Sequence, residues 1–436
     1  MTVSLDTSSV TPIAPATGTS AAPAGRRWPV LETALVVEGV ALTALVAFSG
    51  SAAWGAIRVG VVTVLTALTL RVARPGGPRA RGLVAVVAGL VGLVAGLGIG
   101  VSFTARSGLS VRGLAGLVCL AAGLVLLTTG TVALVRASHG WRRGLGVPIA
   151  FVVLQFVAMP LFGAVVITNV PPDTIEAATP ADHGVPYEDV TFLTSDGVAL
   201  SAWYVPSSNR AALVLLAGSG STRSGALDQA IVLARHGYGA LVMDNRGHGR
   251  SEGIAMDTGW FGDLDIAAAV TFLQTRNDVD PTKIAVVGMS MGGEEALGAA
   301  ATDHRIRAVV AEGATGRDSA DLVDLPGTVT GVIERVTSWT QFRLADLLTD
   351  APTPTPLVDA AARTAPRPVL LIAATGETTA NRRFQDAAPT SIELWEPPDT
   401  AHVAALRTHP AEWEERVTTF LDRALDMDRA LREGRS

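Results

Sequence analysis

Apolar positions are unevenly spread along this chain. Between residues 29 and 169 they gather into five stretches, at 29–49, 53–72, 83–104, 113–135 and 147–169, separated by short turns. Each holds about 20 residues, the length a helix needs to cross the hydrocarbon core of a bilayer. Beyond residue 185 the period changes. Short apolar runs at 187–194, 199–205, 211–217, 239–243, 283–287, 307–312, 368–373 and 391–395 read as strands, and they alternate with segments of helical spacing at 223–236, 262–276, 291–303, 331–349 and 407–428. That alternation predicts a mostly parallel eight-stranded sheet with helices on both faces.

The pattern divides the chain into a tail at 1–28, expected to be disordered for want of anything to bury, a five-span helical domain at 29–170, a Pro-, Ala- and Thr-rich linker at 171–184, an α/β domain at 185–428 and a short tail at 429–436. Within the α/β domain, residues 314–366 form an insert with an apolar helical face, Val329, Val332, Ile333, Val336 and Trp339 among them. It reads as a short cap, either a plain cover over core and pocket or, more sharply, a lid that leans on the membrane and admits lipid-like substrates.

Composition sharpens the picture. The chain is 48% hydrophobic and 17% charged, with mean hydropathy +0.37. Packing five successive apolar stretches as buried helices would need an implausibly large soluble core, so a membrane is expected. Gly, Ala, Val and Leu dominate the spans, and small residues let membrane helices approach closely. Arg26, Arg27, Arg71, Arg74, Arg79, Arg81, Arg136, Arg142 and Arg143 fall on one side of the spans, against Arg106 and Arg112 on the other. Nine against two predicts a cytoplasmic N-terminus and an extracytoplasmic α/β domain. Glu38 is the least expected residue of the spans. It falls at nearly the depth of Gln155 on the fifth stretch, so a hydrogen bond between them is expected.

The net charge of −6 argues against nucleic-acid binding. Cys119 is the only cysteine, so the outer domain can hold no disulfide. No metal-ligand cluster, phosphate-cradling loop or dinucleotide fingerprint is evident, and no cofactor is expected.

The chemistry centres on Gly288-Met289-Ser290-Met291-Gly292, which follows the apolar run 284–287 and precedes a helical segment. A nucleophile elbow needs that order, because strand, sharp turn and helix close in on each other and only glycine leaves room. The helix N-terminus adds positive potential where an oxyanion must form.

With this elbow and the run Asp244-x-Arg246-Gly247-His248-Gly249-x-Ser251-Glu252-Gly253, residues 185–428 resemble the α/β-hydrolase superfamily, in its bacterial serine-hydrolase branch. The five-span half resembles no family in particular. The resemblance implies a serine nucleophile, an acid and a histidine in that chain order. Ser290 is the expected nucleophile. His402, in the loop after the last strand, is the expected base, with His248 the main rival. The acid is expected at Glu377, after the run 369–373, where the family more often has Asp; Glu312, Asp318 and Asp321 are the alternatives. Met291 and Ser219 are the expected oxyanion-hole residues, with Gly220 second to Ser219. Asp244 and Arg246 read as architectural.

The expected activity is cleavage of an acyl ester, with an amide or thioester behind it and acyl transfer by the same residues as an alternative. A reading from another class makes the five spans a transporter or sensor that the outer domain gates. The scarcity of ionisable groups in the spans counts against it.

Overall fold

The computed structural model describes residues 29–47, 52–322 and 327–427; the two tails lie outside them. Five helices come first, each long and apolar enough to cross a membrane: α1 (Pro29–Ala47), α2 (Ala52–Ala73), α3 (Pro78–Ser107), α4 (Val111–Ala137) and α5 (Gly146–Thr168). The widest contact is between α3 and α4. Glycines build it. A Cβ on Gly116 would lie 2.4 Å from Gly100 Cα, and one on Gly89 would lie 2.7 Å from the Gly123 carbonyl oxygen. The two backbones therefore touch along a seam that any side chain would pry apart.

In α5 one turn, Leu154–Ala158, widens to a π-helix just before Pro160. Proline cannot donate to the carbonyl four residues back, and a wider turn absorbs that loss.

The expected bond between Glu38 and Gln155 is not made. Gln155 Nε2 donates instead to Thr337 Oγ1 at 3.2 Å, in the insert of the α/β domain. Glu38 is buried against α3, where a Cβ on Gly92 would come within 2.6 Å of its Oε1. Matched depth was a poor guide because it carries no information on which faces of two helices meet.

The second half holds one eight-stranded sheet: β1 (Glu188–Leu193), β2 (Ala199–Val205), β3 (Ala212–Leu216), β4 (Gly239–Met243), β5 (Ile284–Met289), β6 (Ala308–Glu312), β7 (Val369–Ile372) and β8 (Ile392–Trp395). Its order is β1-β2-β4-β3-β5-β6-β7-β8. β2 pairs antiparallel with β1 and β4, and every other pairing is parallel.

Strands β3 to β7 are buried on both faces, which explains their unbroken apolar runs. One face is covered by α6 (Leu227–Arg235) and α13 (Pro410–Ala424). The other is covered by α7 (Gly262–Gln274), α8 (Met291–Thr302), α10 (Leu357–Thr364) and α11 (Thr378–Ala387). The insert contributes α9 (Val329–Leu348), which packs on α5, and α12 (Ala405–Thr408) opens the last connection. Winding reverses between β3 and β5, so the loops leaving these two strands diverge and open a crevice at their carboxyl ends.

Candidate active site

Ser290 sits at that crevice, between β5 and α8. Its backbone is forced to φ 54°, ψ −123°, a conformation costly for any residue with a side chain. The turn can be this tight because Gly288 and Gly292 flank it. A Cβ on Gly288 would lie 2.0 Å from the Gly292 carbonyl oxygen, and one on Gly292 would lie 2.7 Å from Leu216 on β3. Backbone bonds hold the strain: Ser290 N–H donates to the Glu312 carbonyl at 2.7 Å, and the Ser290 carbonyl accepts from Gly293 N–H at 2.8 Å.

His402 comes from the loop after β8. Its Nε2 lies 2.8 Å from Ser290 Oγ, and its Nδ1 is hydrogen-bonded to Glu377 Oε1. Glu377 stands at the head of α11, in the turn after β7, and its other oxygen accepts from Ala374 N–H at 2.8 Å. That bond holds the carboxyl in its own turn while the first oxygen meets the imidazole. Three side chains from three loops thus form one hydrogen-bonded line.

The other candidates are occupied elsewhere. Glu312 accepts from Ala405 N–H at 2.9 Å and from Trp413 Nε1 at 3.2 Å, and burial raises its pKa above the ordinary glutamate value. Asp321 accepts from the N–H groups of Arg317, Asp318 and Leu357, and Asp318 from that of Ala320, so both are turn-builders. His248 is buried, with Nδ1 against the Arg246 carbonyl at 3.2 Å.

Asp244 joins a buried cluster: it accepts from Arg223 Nε at 3.0 Å, Arg223 Nη2 at 2.7 Å and Arg250 N–H at 2.9 Å. Arg246 lies between Asp196 and Asp265, at 2.5 and 2.6 Å. Both act as braces for the 244–253 loop. Arg223, fully buried, was not legible as a partner of Asp244 from sequence, since 21 residues separate them.

The loop after β3 closes the site from the other side. Gly218 lies against Ser290, where a Cβ would be 3.0 Å from Ser290 Cβ. Ser219 follows, and its hydroxyl is bonded to Asp257 Oδ1. Met291 opens α8, where its N–H has no carbonyl four residues back within the helix. Gly313 is a further residue that the sequence did not single out: its φ is +75°, and a Cβ there would come within 2.9 Å of His402 Cε1. A glycine directly after β6 leaves the imidazole its space.

A family model described as "Serine aminopeptidase, S33" matches residues 207–367. The C-terminal half of the chain has the α/β-hydrolase fold. Among curated proteins it is similar to a thiohydrolase, aneE, of Aspergillus aculeatus, at 34% identity over 128 residues, 28% of this chain and 40% of the relative. It is also similar to an uncharacterized membrane protein of Saccharomyces cerevisiae, at 31% identity over 121 residues, 27% of this chain and 42% of that one. These matches span less than half of each relative's length. Among solved structures, an esterase of Pyrococcus furiosus aligns over 58% of this chain and 99% of its own, at 24% identity and TM-score 0.45.

Proposed function

We propose that the protein is a membrane-anchored serine hydrolase that cleaves an acyl ester outside the cytoplasm. The observation that carries this reading is the line Ser290 Oγ, His402, Glu377, set at the end of β5 with its nucleophile in an elbow. A serine hydroxyl is a poor nucleophile alone, and a histidine held in one tautomer by a carboxylate is the base that activates it.

The steps follow from these positions. Ser290 Oγ attacks the acyl carbon while His402 Nε2 takes its proton. Glu377 holds Nδ1–H and stabilises the imidazolium. The oxyanion is received by the N–H groups of Met291 and Ser219, with the N-terminal end of α8 behind them. His402 returns the proton to the leaving alcohol, and a water activated by the same imidazole releases the acid. Amides demand more, because the leaving nitrogen must be protonated before the C–N bond breaks. Thioesters, or transfer to an acceptor other than water, would use the same residues. No step calls for a cofactor.

The five apolar helices and the nine-to-two arginine bias support anchoring with the hydrolase domain outside. The test is labelling by a fluorophosphonate probe alongside hydrolysis of acyl esters of graded chain length by reconstituted protein. Ser290→Ala should lose both while remaining folded; undiminished labelling would overturn the assignment.

A further inference from the structure

Helix α9 is built inside out for a helix in water. It runs beside α5 in the same direction: Gln155 meets Thr337, and Gln341 reaches Gly163, where a Cβ would collide with its side-chain amide. Ala164 and Ala345 share one buried cluster. At 100° per residue, Thr337, Gln341, Ala345 and Leu348 form a single face packed on α5, which turns the polar groups Thr337 and Gln341 inward and continues through Ala345 and Leu348 into an apolar cluster. The opposite face carries Val332, Val336, Trp339 and Leu347, which are 49%, 45%, 53% and 73% exposed. A helix bathed in water buries its apolar stripe and exposes its polar one. The reverse order is what a helix surrounded by hydrocarbon needs.

The level of these contacts agrees. Gln155 is about 20 Å along the axis from Thr168, the end of α5, which is well over half of a bilayer core of roughly 30 Å. Because α9 follows α5 from Leu348 back to Thr337, it descends to that level too. Arg343 is the one charge within the apolar stripe. It lies over the Trp339 ring at 5.8 Å and only about 7 Å along the helix from its outer end, within snorkelling reach of the interface. Further in, Glu334 and Arg335 are adjacent and opposite in charge, leaving that turn net neutral.

The same pair of helices leads to the catalytic serine. Phe342 of α9 stacks on Trp260 at 6.4 Å, in the loop that also carries Asp257. Asp257 N–H donates to the Ile167 carbonyl of α5 at 2.9 Å, and its carboxylate holds Ser219, next to the Gly218 that touches Ser290. One short loop therefore separates the α5–α9 pair from the nucleophile.

We propose that α9 is a re-entrant helix embedded in the bilayer core and reaching past its midplane, its Val332–Val336–Trp339–Leu347 stripe facing lipid acyl chains, and that a lipid-borne acyl ester reaches Ser290 along it. The route, though not the embedding, rests on the serine-hydrolase reading.

Single cysteines at Val332, Val336 and Trp339, in a Cys119→Ala background reconstituted in phosphatidylcholine vesicles, test the embedding with a membrane-impermeant maleimide. Val157→Cys on α5 serves as the protected control and Thr390→Cys as the accessible one. All three α9 sites should label at least tenfold more slowly than position 390 and gain reactivity in detergent. If they label as fast as position 390 while Val157→Cys stays protected, the embedding is wrong; if Val157→Cys labels as well, the five-span reading has failed and takes the embedding with it.

For the route, Trp339→Glu should lower the ratio of long-chain ester hydrolysis in vesicles to short-chain ester hydrolysis in solution at least tenfold. An unchanged ratio overturns the route. Activity that survives Ser290→Ala instead overturns the hydrolase reading, and the labelling result then still decides where α9 lies.

Discussion

Ala405 N–H donates to Glu312 Oε1 at 2.9 Å, tying the loop that presents His402 to the end of β6. The other oxygen of Glu312 accepts from Trp413 on α13, so one buried carboxyl pins both sides of the histidine loop. Glu312→Ala would leave two buried donors unpaired, each costing about 1–3 kcal/mol. We expect a clear fall in the unfolding midpoint, and a drop in kcat larger than any change in KM as His402 drifts from Ser290. Burial raises the pKa of this group, so the neutral Glu312→Gln should be tolerated better than Ala. Thermal unfolding and steady-state kinetics on the two variants check both.

Glu377→Gln should behave oppositely. The amide can still occupy the turn at the head of α11, so abundance and melting should hold. What fails is the tautomer: an amide that donates toward Nδ1 leaves Nε2 carrying the proton and unable to accept one from Ser290. The corresponding loss is about 10⁴-fold in a well-studied serine-protease triad. A deficit of several orders of magnitude in kcat at unchanged stability is the expected outcome, and a mild effect would remove Glu377 from the relay.

These two acids show how far sequence reaches. Strands, elbow and chain order were legible because each rests on local pattern: unbroken apolar runs at β3 to β7, glycines around Ser290, a loop histidine after the last strand. Choosing between Glu377 and Glu312 was not a local matter, since it turns on what each carboxyl meets in three dimensions, and Ala405 and Trp413 lie far along the chain from Glu312. Helices α10 and α11 escaped the sequence reading for a related reason. They are only eight and ten residues long, so that even the regular spacing of Leu357, Ala360, Ala361 and Thr364 covers just two turns, too few to stand out along the chain. Between α1 and α5, depth could be counted along the sequence but facing could not, and so Gln155 turned out to meet Thr337.

Stability should depend on pH through the acids beneath the site. Glu294 is deeply buried, and desolvation lifts its pKa to about 7, although the N–H groups of Thr315 and Gly316 donate to Oε1 at 3.0 and 2.9 Å. Desolvation likewise lifts Asp265 to about 6. Groups whose folded pKa exceeds the unfolded value hold protons that the unfolded chain releases. Their contribution is therefore complete below the unfolded pKa and is lost as pH rises through the folded one. The folded domain should thus weaken between about pH 4 and pH 7. Glu294→Gln should flatten that decline in denaturant titrations across the range. An unchanged slope would show that Glu294 does not contribute.

The arginine bias makes a prediction about sidedness. Of the two arginines on the minority side, Arg112 donates to Asn169 Oδ1 at 2.6 Å, bracing the end of α5, and Arg106 comes close to Gly220 in the loop after β3. Both have local structural partners, which leaves the nine arginines opposite as the topological signal. If that signal orients the bundle, the α/β domain lies outside the cytoplasm, and protease added to intact spheroplasts should remove residues beyond about 180 and leave a protected fragment holding α1 to α5. Neutralising Arg106 and Arg112 should not invert the protein, because it only widens the bias, but it should loosen the domain and speed that cleavage. Full protection of the domain in intact spheroplasts, with digestion only after lysis, would mean either that the arginine bias does not orient the bundle or that one apolar helix fails to span, and would put the α/β domain in the cytoplasm.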